Sequence, residues 1–272
     1  MCTFYWSQCG KINVYAKRRG TQEWTDKMAD LFCVKLGETM RGTFAEHVKQ
    51  YAYGEALLVL PNRFLLQSEQ QKGTVRAINM DYLPNEILRA NRRDRFEMLS
   101  RRSQEIIVKK LIDDKKKAGQ LKYLLNIADA DSFAKIVTGF IGELSRAGTT
   151  AEEFAEAVSA WERKNGYGLK DEEIASIYTD YRKVLKKNNW YDIDGLYRLA
   201  TIELQKAGSI IPWQALFFSD FYQFDHLQLD LIAAIKDRCT VSIGIVGDMK
   251  NDELYGATLN TIGDLLGCGF KL

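Results

Sequence analysis

One short stretch constrains the fold of this chain more than any other, because it joins an apolar strand pattern to a carboxylate. The run Ala215–Phe218 leads into Ser219 and Asp220, and an aromatic turn then leads into a helical pattern at residues 227–235. A buried strand that carries polar groups at its carboxyl end is how open α/β sheets build a nucleotide site. The stretch therefore predicts an α/β fold with a parallel sheet and a site at the carboxyl edge of that sheet.

The composition is that of an ordinary globular protein. The 272 residues are 46% hydrophobic and 27% charged, with a formal net charge of +2, so DNA contact would need a local basic patch. No apolar run is long enough to span a membrane, and the first residues lack the order of a signal peptide. The five cysteines are scattered without a CxxC pair. We therefore expect a cytoplasmic protein with reduced thiols, no metal site and no membrane partner.

The spacing of apolar residues predicts the order of the elements. Two amphipathic helices are predicted between Thr21 and about Tyr53, broken near Gly37–Gly42. The runs that predict further buried strands are Ala56–Leu60, Thr74–Ile78 and Cys239–Val246. No proline lies between Pro84 and Pro212, which favours a long helical segment over residues 91–190.

The candidate phosphate loop is Gly10-Lys11, after a predicted short strand at Thr3–Trp6. A working loop reads Gly-x-x-x-x-Gly-Lys-Ser/Thr, because its backbone amides cradle phosphate while the hydroxyl holds magnesium. Tyr5 stands where the first glycine is needed, and Ile12 stands where the hydroxyl is needed. Gly10 and Lys11 are thus nucleotide-binding candidates in a motif that fails two of its requirements, and an accidental Gly-Lys pair is the alternative.

Four arginines are the candidate DNA contacts. Arg63 and Arg89 follow predicted strands, and Arg92 and Arg93 open the helical region. Arginine side chains position proteins on nucleic acid by binding phosphate oxygens. Exposed helix faces are also commonly rich in Lys and Arg without any ligand, so the residues alone leave both interpretations open.

Two segments on either side of the Asp220 stretch resemble superfamily 1 (UvrD-like) DNA helicases. Tyr181 and Leu185, followed by Asp192–Leu196, are similar to the Tyr-x-x-x-Leu and Asp-Phe-Asp-Asp-Leu patterns that precede the Walker B strand in that family. Taken alone, the carboxylates of Asp192 and Asp194 predict helix N-caps rather than metal ligands. After the next strand, Asp248 and Asn251 are similar to helicase motif III, with Asn in place of its Gln.

The aromatic turn narrows this resemblance. Phe221, Phe224 and Gln228 resemble the degenerate Walker B segment in the N-terminal helicase-like region of the B subunit of bacterial ATP-dependent helicase–deoxyribonucleases. The resemblance implies a RecA-like, P-loop-type parallel sheet flanked by helices, with a large all-helical insertion. It places the first part of the α/β domain at residues 1–90, the insertion at 91–190 and the second part at 191–272.

The resemblance also implies a function. A working Walker B segment needs one carboxylate for magnesium and a second beside it. The motif can be aligned in two ways. The two carboxylate positions are Ser219 and Asp220 in one alignment, and Asp220 and Phe221 in the other, so one carboxylate is missing in both. We therefore expect a degenerate subunit of double-strand-break repair without ATP turnover of its own, and ATP with magnesium is a doubtful cofactor. The implied partners are DNA, single-stranded or at duplex ends, and a catalytic helicase–nuclease subunit.

Two other classes of protein stay open. One is an active P-loop ATPase or helicase fragment with an unorthodox loop at Ser7–Ile12, which ATP turnover dependent on Lys11 and Asp220 would support. The other is a mainly helical module that binds a partner protein, which the absence of a parallel sheet would support. Serine or cysteine nucleophile catalysis is not expected, since no Gly-x-Ser-x-Gly elbow is present.

Overall fold

The computed structural model describes residues 29–93, 95–165, 168–248 and 251–272. In these residues the strands are β1 (Ala29–Val34), β2 (Ala56–Leu60), β3 (Ala77–Asn79), β4 (Glu97–Met98), β5 (Trp190–Tyr191), β6 (Ala215–Phe221) and β7 (Thr240–Val246). The helices are α1 (Arg41–Val48), α2 (Arg63–Lys72), α3 (Leu83–Ala90), α4 (Arg101–Lys117), α5 (Asp131–Arg146), α6 (Ala151–Asn165), α7 (Leu169–Asn188), α8 (Ile193–Gln205), α9 (His226–Lys236) and α10 (Asp252–Gly267). None of the described helices combines the length and the apolar character that crossing a membrane requires.

Five strands form one sheet in the order β1-β7-β6-β2-β3, and every neighbouring pair is parallel. Strands of a parallel sheet are covered on both faces and read as continuous apolar runs. This explains β2, in which all five residues are buried. β4 and β5 pair separately as a short parallel ladder.

The chain divides into two compact units. The first contains the five-stranded sheet and comprises the described residues up to Leu83, together with Ile211–Phe224 and Ile232–Leu272. On one face of its sheet, the Phe44 ring of α1 lies 5.5 Å from the Phe217 ring of β6. A Cβ atom on Gly244 of β7 would stand 3.0 Å from Cβ of Met40, so glycine there lets the start of α1 approach the sheet.

The second unit is mainly helical and comprises Pro84–Ile210 and Asp225–Leu231. Its apolar core is built chiefly by α4, α5 and α7. Two buried charges organise its polar interior. Lys115 Nζ lies 2.5 Å from the Asp180 carboxylate, and the Glu173 carboxylate accepts the backbone amides of residues 122, 123 and 124 at 2.6–2.9 Å.

Most of the predicted elements are confirmed. Ala56–Leu60 is β2 with the same bounds. The run at Thr74–Ile78 is the strand β3 with both ends shifted, and the run at Cys239–Val246 is the strand β7 with a shifted start. Residues 91–190 are mainly helical, as expected. The mixed α/β class with a parallel sheet flanked by helices is also confirmed. The finer RecA-like assignment and the domain bounds at residues 90 and 190 stay predictions.

The helix predicted after Thr21 is wrong where the structure describes it, because Ala29–Val34 form a strand. β1 pairs with β7 along its whole length. On the other side, Leu31 N donates to Lys271 O at 2.7 Å and Lys271 N donates to Ala29 O at 2.9 Å. A short apolar run fits helical and strand periods equally well, and backbone pairing on both sides decides for the strand. The strand predicted at Thr3–Trp6 lies outside the described residues.

Candidate functional site

The carboxyl ends of β1, β7 and β6 lie side by side in the first unit. Because these strands are parallel neighbours, the loops that follow them leave the sheet at one edge, where α/β proteins place their sites. The loop from Lys35 to Met40 joins β1 to α1, and Ser219 and Asp220 lie near the end of β6. The fold thus places the loop that leads into α1 next to the Asp220 carboxylate.

Asp220 has an unusual backbone. Its φ is +63°, in the left-handed region that costs a residue with a Cβ about 1 kcal/mol or more. The register of β6 against β7 shifts between Phe218 and Phe221, so the strand bulges where the carboxylate leaves it. Bulges of this kind re-aim a side chain next to functional sites. Phe221 and Phe224 of the aromatic turn stack at 4.6 Å between ring centroids and are buried core residues.

The Asp220 carboxylate is held by the β1–α1 loop and by the first residue of α1. Thr39 Oγ1 donates a hydrogen bond to Oδ1 of Asp220, and Nε of Arg41 lies 3.6 Å from Oδ2. Ser219, which is fully buried, donates from Oγ to Oδ2 at 3.3 Å. The carboxylate thus has both a neutral and a cationic partner within its own unit.

A second carboxylate extends this group into a charge network. Glu69 of α2 has 2% of its side chain exposed, and its Oε1 lies 3.3 Å from Arg41 Nε and 2.7 Å from Lys72 Nζ. Two cations therefore alternate with two anions, which is how charges become tolerable away from water. Nη1 of Arg41 is buried with no acceptor among the described residues, so the guanidinium is oriented by its Nε contacts.

The loop before α1 was missed by the sequence analysis. Gly37 and Gly42 have the spacing of the two glycines in Gly-x-x-x-x-Gly-Lys-Ser/Thr, and Gly37 has a φ of +90°. Thr43 and Phe44 stand where the lysine and the hydroxyl residue belong, and Phe44 is packed in the core at 1% exposure. The spacing of the two glycines could have indicated this loop. It was not interpreted as a phosphate loop because such a loop follows a strand, and β1 was predicted as a helix.

Magnesium and ATP do not fit the side chains at this edge. The one carboxylate at the end of β6 is paired with Arg41, and neither Ser219 nor Phe221 supplies a second. Thr43 cannot neutralise phosphate charge as a lysine would. Among the described residues, no group of three or more His, Cys, Asp and Glu side chains is arranged to hold a metal ion. The predicted nucleotide contacts Gly10 and Lys11 lie outside the described residues.

The motif III-like residues follow β7 at the same edge. Asn251 is the N-cap of α10, and its side-chain oxygen accepts the amide of Leu254 at 3.1 Å. Asp248 lies near Cys33 of β1, where burial first and the Asp248 charge second raise the pKa of the thiol. Gln228 forms a capping box with Asp225 at the start of α9, with bonds of 2.9 and 3.2 Å. Asn251 and Gln228 therefore have local structural contacts of their own.

The predicted DNA contacts lie in both units. In the first, Nη2 of Arg63 at the start of α2 donates to the Tyr82 hydroxyl at 3.3 Å. In the second, Arg89, Arg92 and Arg93 lie at the end of α3 and are exposed. Arg89 is 3.7 Å from Glu86 and Arg93 is 3.3 Å from Glu203, whereas Arg92 has no carboxylate partner among the residues described. Whether any of them binds DNA stays a prediction.

The Asp192 segment forms a buried acidic cluster in the second unit. Asp192 is the N-cap of α8, as predicted, and accepts the Gly195 amide at 2.7 Å. Its other oxygen accepts the Tyr181 hydroxyl at 3.0 Å, and Arg182 lies 3.4 Å away. Asp194 is not a cap: it is 6% exposed, and burial first and the charge of Asp192 second raise its pKa to about 7.

The chain has a parallel sheet with a carboxylate at its carboxyl edge, and a helical unit is inserted into it. These features place it in the class of open α/β proteins, whose sites lie at the ends of the strands. Within that class the chain belongs to the family described as ADDB, N-terminal, whose model matches residues 44–266. No match was found among curated proteins. The family match confirms the resemblance to the N-terminal region of the B subunit, and thereby assigns the chain to a helicase–nuclease subunit of DNA repair. The match begins after β1, Thr39 and Arg41.

Proposed function

We propose that this chain is a degenerate helicase-like domain of a double-strand-break repair subunit that binds DNA or has a structural role and does not turn over ATP. The observation that supports this most directly is the contact of Arg41 and Thr39 with Asp220. In a phosphoryl-transfer site this carboxylate would be free to hold the water shell of magnesium. Here the guanidinium of Arg41 competes for the same oxygen atoms.

Three further features support the same proposal. The loop after β1 has two glycines at phosphate-loop spacing but lacks the lysine. Asn251 at the motif III position and Gln228 after the aromatic turn are both engaged in helix caps. The five-stranded parallel sheet also argues against the mainly helical interaction module, because that alternative required the absence of a parallel sheet. The catalytic helicase–nuclease partner subunit remains part of the proposal.

Titration with magnesium–ATP tests the absence of turnover. We expect no phosphate release by the 272-residue chain and no magnesium–ATP binding that depends on Asp220, because the carboxylate that would hold magnesium is paired and the lysine is missing. Asp220→Asn should therefore change nothing in this assay, as should the control Asp230→Asn on the exposed side of α9. Binding of magnesium–ATP that Asp220→Asn abolishes and Asp230→Asn retains would restore the active motor.

Titration with an oligothymidylate at low and moderate salt tests DNA binding. Each phosphate contact that is lost should reduce the slope of log K against log salt by about 0.7 for a single strand. Arg92 is the most suitable probe, because it is exposed and has no carboxylate partner in the described chain. Asparagine is the chosen replacement, Arg92→Asn, because it tolerates the φ of +56° at this position. The control is Arg163→Ala, at an exposed position of α6. An unchanged slope for Arg92→Asn would exclude this contact, and the absence of any DNA binding would favour a purely structural role.

A further inference from the structure

A cavity in the second unit has no role in the function proposed above. Its volume is about 330 Å³, and it is lined by residues of α7, β5, the first turns of α8 and the start of α6. Ligand sites of proteins begin at about 300 Å³, so the space suits one small molecule. The charged and aromatic side chains that line it are Arg182, Lys186, Trp190, Tyr191, Asp192 and Arg198.

The lining has more positive charge than its carboxylates neutralise. Arg182 is paired with Asp192 at 3.4 Å, which removes one cation and one anion from the balance. Lys186 and Arg198 have no carboxylate within ion-pair distance in the described chain, and the other acidic residue of the lining is Glu152. Nη2 of Arg198 donates to the Ser145 carbonyl at 3.0 Å, which orients the guanidinium without neutralising it. The cavity therefore favours an anion.

The start of α6 adds hydrogen-bond donors to the same wall. Thr150 and Glu153 form a capping box, with Oγ1 of Thr150 accepting the Glu153 amide at 3.1 Å and the Glu153 carboxylate accepting the Thr150 amide at 2.8 Å. Ala151 and Glu152 line the cavity, and their backbone amides donate to no group in the described chain. Free amides at a helix N-terminus bind phosphate, and here they accompany two cations without ion-pair partners.

The other wall is aromatic and held in place. Trp190 donates from Nε1 to Glu97 at 2.8 Å, and the ring of Tyr191 meets that of Phe96 edge to face at 5.8 Å. Gly195 stands beside this wall, and a Cβ atom there would lie 3.4 Å from Cδ1 of Tyr191 and 2.8 Å from Oδ1 of Asp192. Only glycine lets the first turn of α8 come this close. Rigid aromatic rings next to cations are the surfaces on which nucleobases stack.

We propose that this cavity binds a single nucleotide, with its phosphate at Lys186, Arg198 and the α6 amides and its base against Trp190 and Tyr191. The proposal rests on the proposed DNA-binding role, which it deepens by naming the unit that recognises a 5′-phosphorylated strand end. A free nucleoside monophosphate has the same chemistry as such an end, so the test has to separate these two sources.

The test compares thymidine 5′-monophosphate, thymidine, inorganic phosphate and oligothymidylates with and without a 5′-phosphate, titrated against the full chain. We expect the monophosphate to bind at least tenfold more tightly than thymidine or phosphate alone, because only it uses both walls. Lys186→Glu should weaken its binding at least tenfold. Lys187→Glu is the matched control and should have little effect, because this neighbouring lysine of α7 does not line the cavity. Trp190→Leu tests the aromatic wall, with thermal unfolding of each variant to verify its fold.

The outcomes separate the proposals. A preference for the phosphorylated oligothymidylate that Lys186→Glu removes assigns the cavity to strand ends, whereas binding of the monophosphate alone assigns it to free nucleotides and contradicts the DNA-binding role. If monophosphate and oligothymidylate bind equally well to the wild type and to Lys186→Glu, the cavity proposal is wrong, while DNA binding elsewhere would survive. No binding of the monophosphate or of the phosphorylated end by a folded wild type would also overturn it.

Discussion

At the scale of single residues, the chain buries carboxylates in two different ways. Glu69, which is buried, and Asp220, which is partly buried, are both paired with cations that balance their charge. Asp194 has no hydrogen-bond partner in the described chain. Its nearest charges include Asp192 and Asp225, which oppose ionisation, and Arg146 and Arg198, which favour it. The effect of burial on the pKa is larger than that of the two arginines, so the ionisation of Asp194 should change the free energy of unfolding with pH.

We expect the second unit to lose stability as the pH rises from about 4, the ordinary pKa of an aspartate, to about 7, the pKa of Asp194 in the folded protein. Its pKa is raised in the folded state, so the folded chain binds more protons than the unfolded chain within this window, and stability falls with rising pH. Asp194→Asn should remove this loss and stabilise the protein at pH 8 by on the order of 2 kcal/mol. Thermal unfolding of both proteins at pH 5 and pH 8 measures it.

The control for Asp194 is Asp230→Asn on the exposed face of α9, which should leave the pH dependence unchanged. A wild-type protein whose unfolding midpoint rises steadily between pH 5 and pH 8, in parallel with that of Asp194→Asn, would mean that Asp194 ionises near its ordinary pKa.

At the scale of elements, the connection between α4 and α5 depends on one side chain from α7. The Glu173 carboxylate accepts three successive amides, those of residues 122–124. Hydrogen bonds to a charged acceptor are stronger than neutral ones. The connection therefore has its backbone donors satisfied by a residue fifty positions away in sequence.

Glu173→Ala should destabilise the second unit by about 3 kcal/mol or more, because three backbone amides, of which that of Leu124 is buried, would lose a charged acceptor. Glu172→Ala is the matched control. Its carboxyl has a raised pKa caused first by a hydrogen bond with Glu162 and then by desolvation and neighbouring charge, so its removal should cost little. Urea unfolding of both variants measures the difference. Similar stabilities for the two variants would show that water replaces Glu173 without penalty.

The elements also indicate how much could be predicted from the sequence. Continuous apolar runs predicted β2 and β7 because a strand buried on both faces leaves that pattern. β1 has the same kind of run, but a helical period also fitted it, and only its pairing with β7 and Lys271 decides. The candidate site could be predicted only in part. Asp220 was found from the strand that carries it, whereas Thr39 and Arg41 reach it through tertiary contacts across about 180 positions, which no local pattern encodes.

At the scale of the whole molecule, each unit has an apolar core of its own. The sheet unit has a core that includes Leu58, and the helical unit has a separate core that includes Ile177. The helical unit is inserted between Leu83 and Ile211, and takes a second short segment at Asp225–Leu231. Separate cores favour separate cooperative unfolding, although the chain passes from one unit to the other several times.

Two variants, each with one core side chain shortened in one unit, test whether the two units unfold independently or together. Ile177 and Leu58 are both fully buried, so Ile177→Ala and Leu58→Ala should each cost about 2–5 kcal/mol. We expect Ile177→Ala to accelerate amide hydrogen exchange in α4, α5 and α7 while β2, β6 and β7 keep their protection, and Leu58→Ala to produce the opposite pattern. Exchange followed by mass spectrometry resolves these segments. If each variant accelerated exchange equally in both sets, the two units would unfold as one, and a nucleotide bound in the helical unit would then also stabilise the sheet.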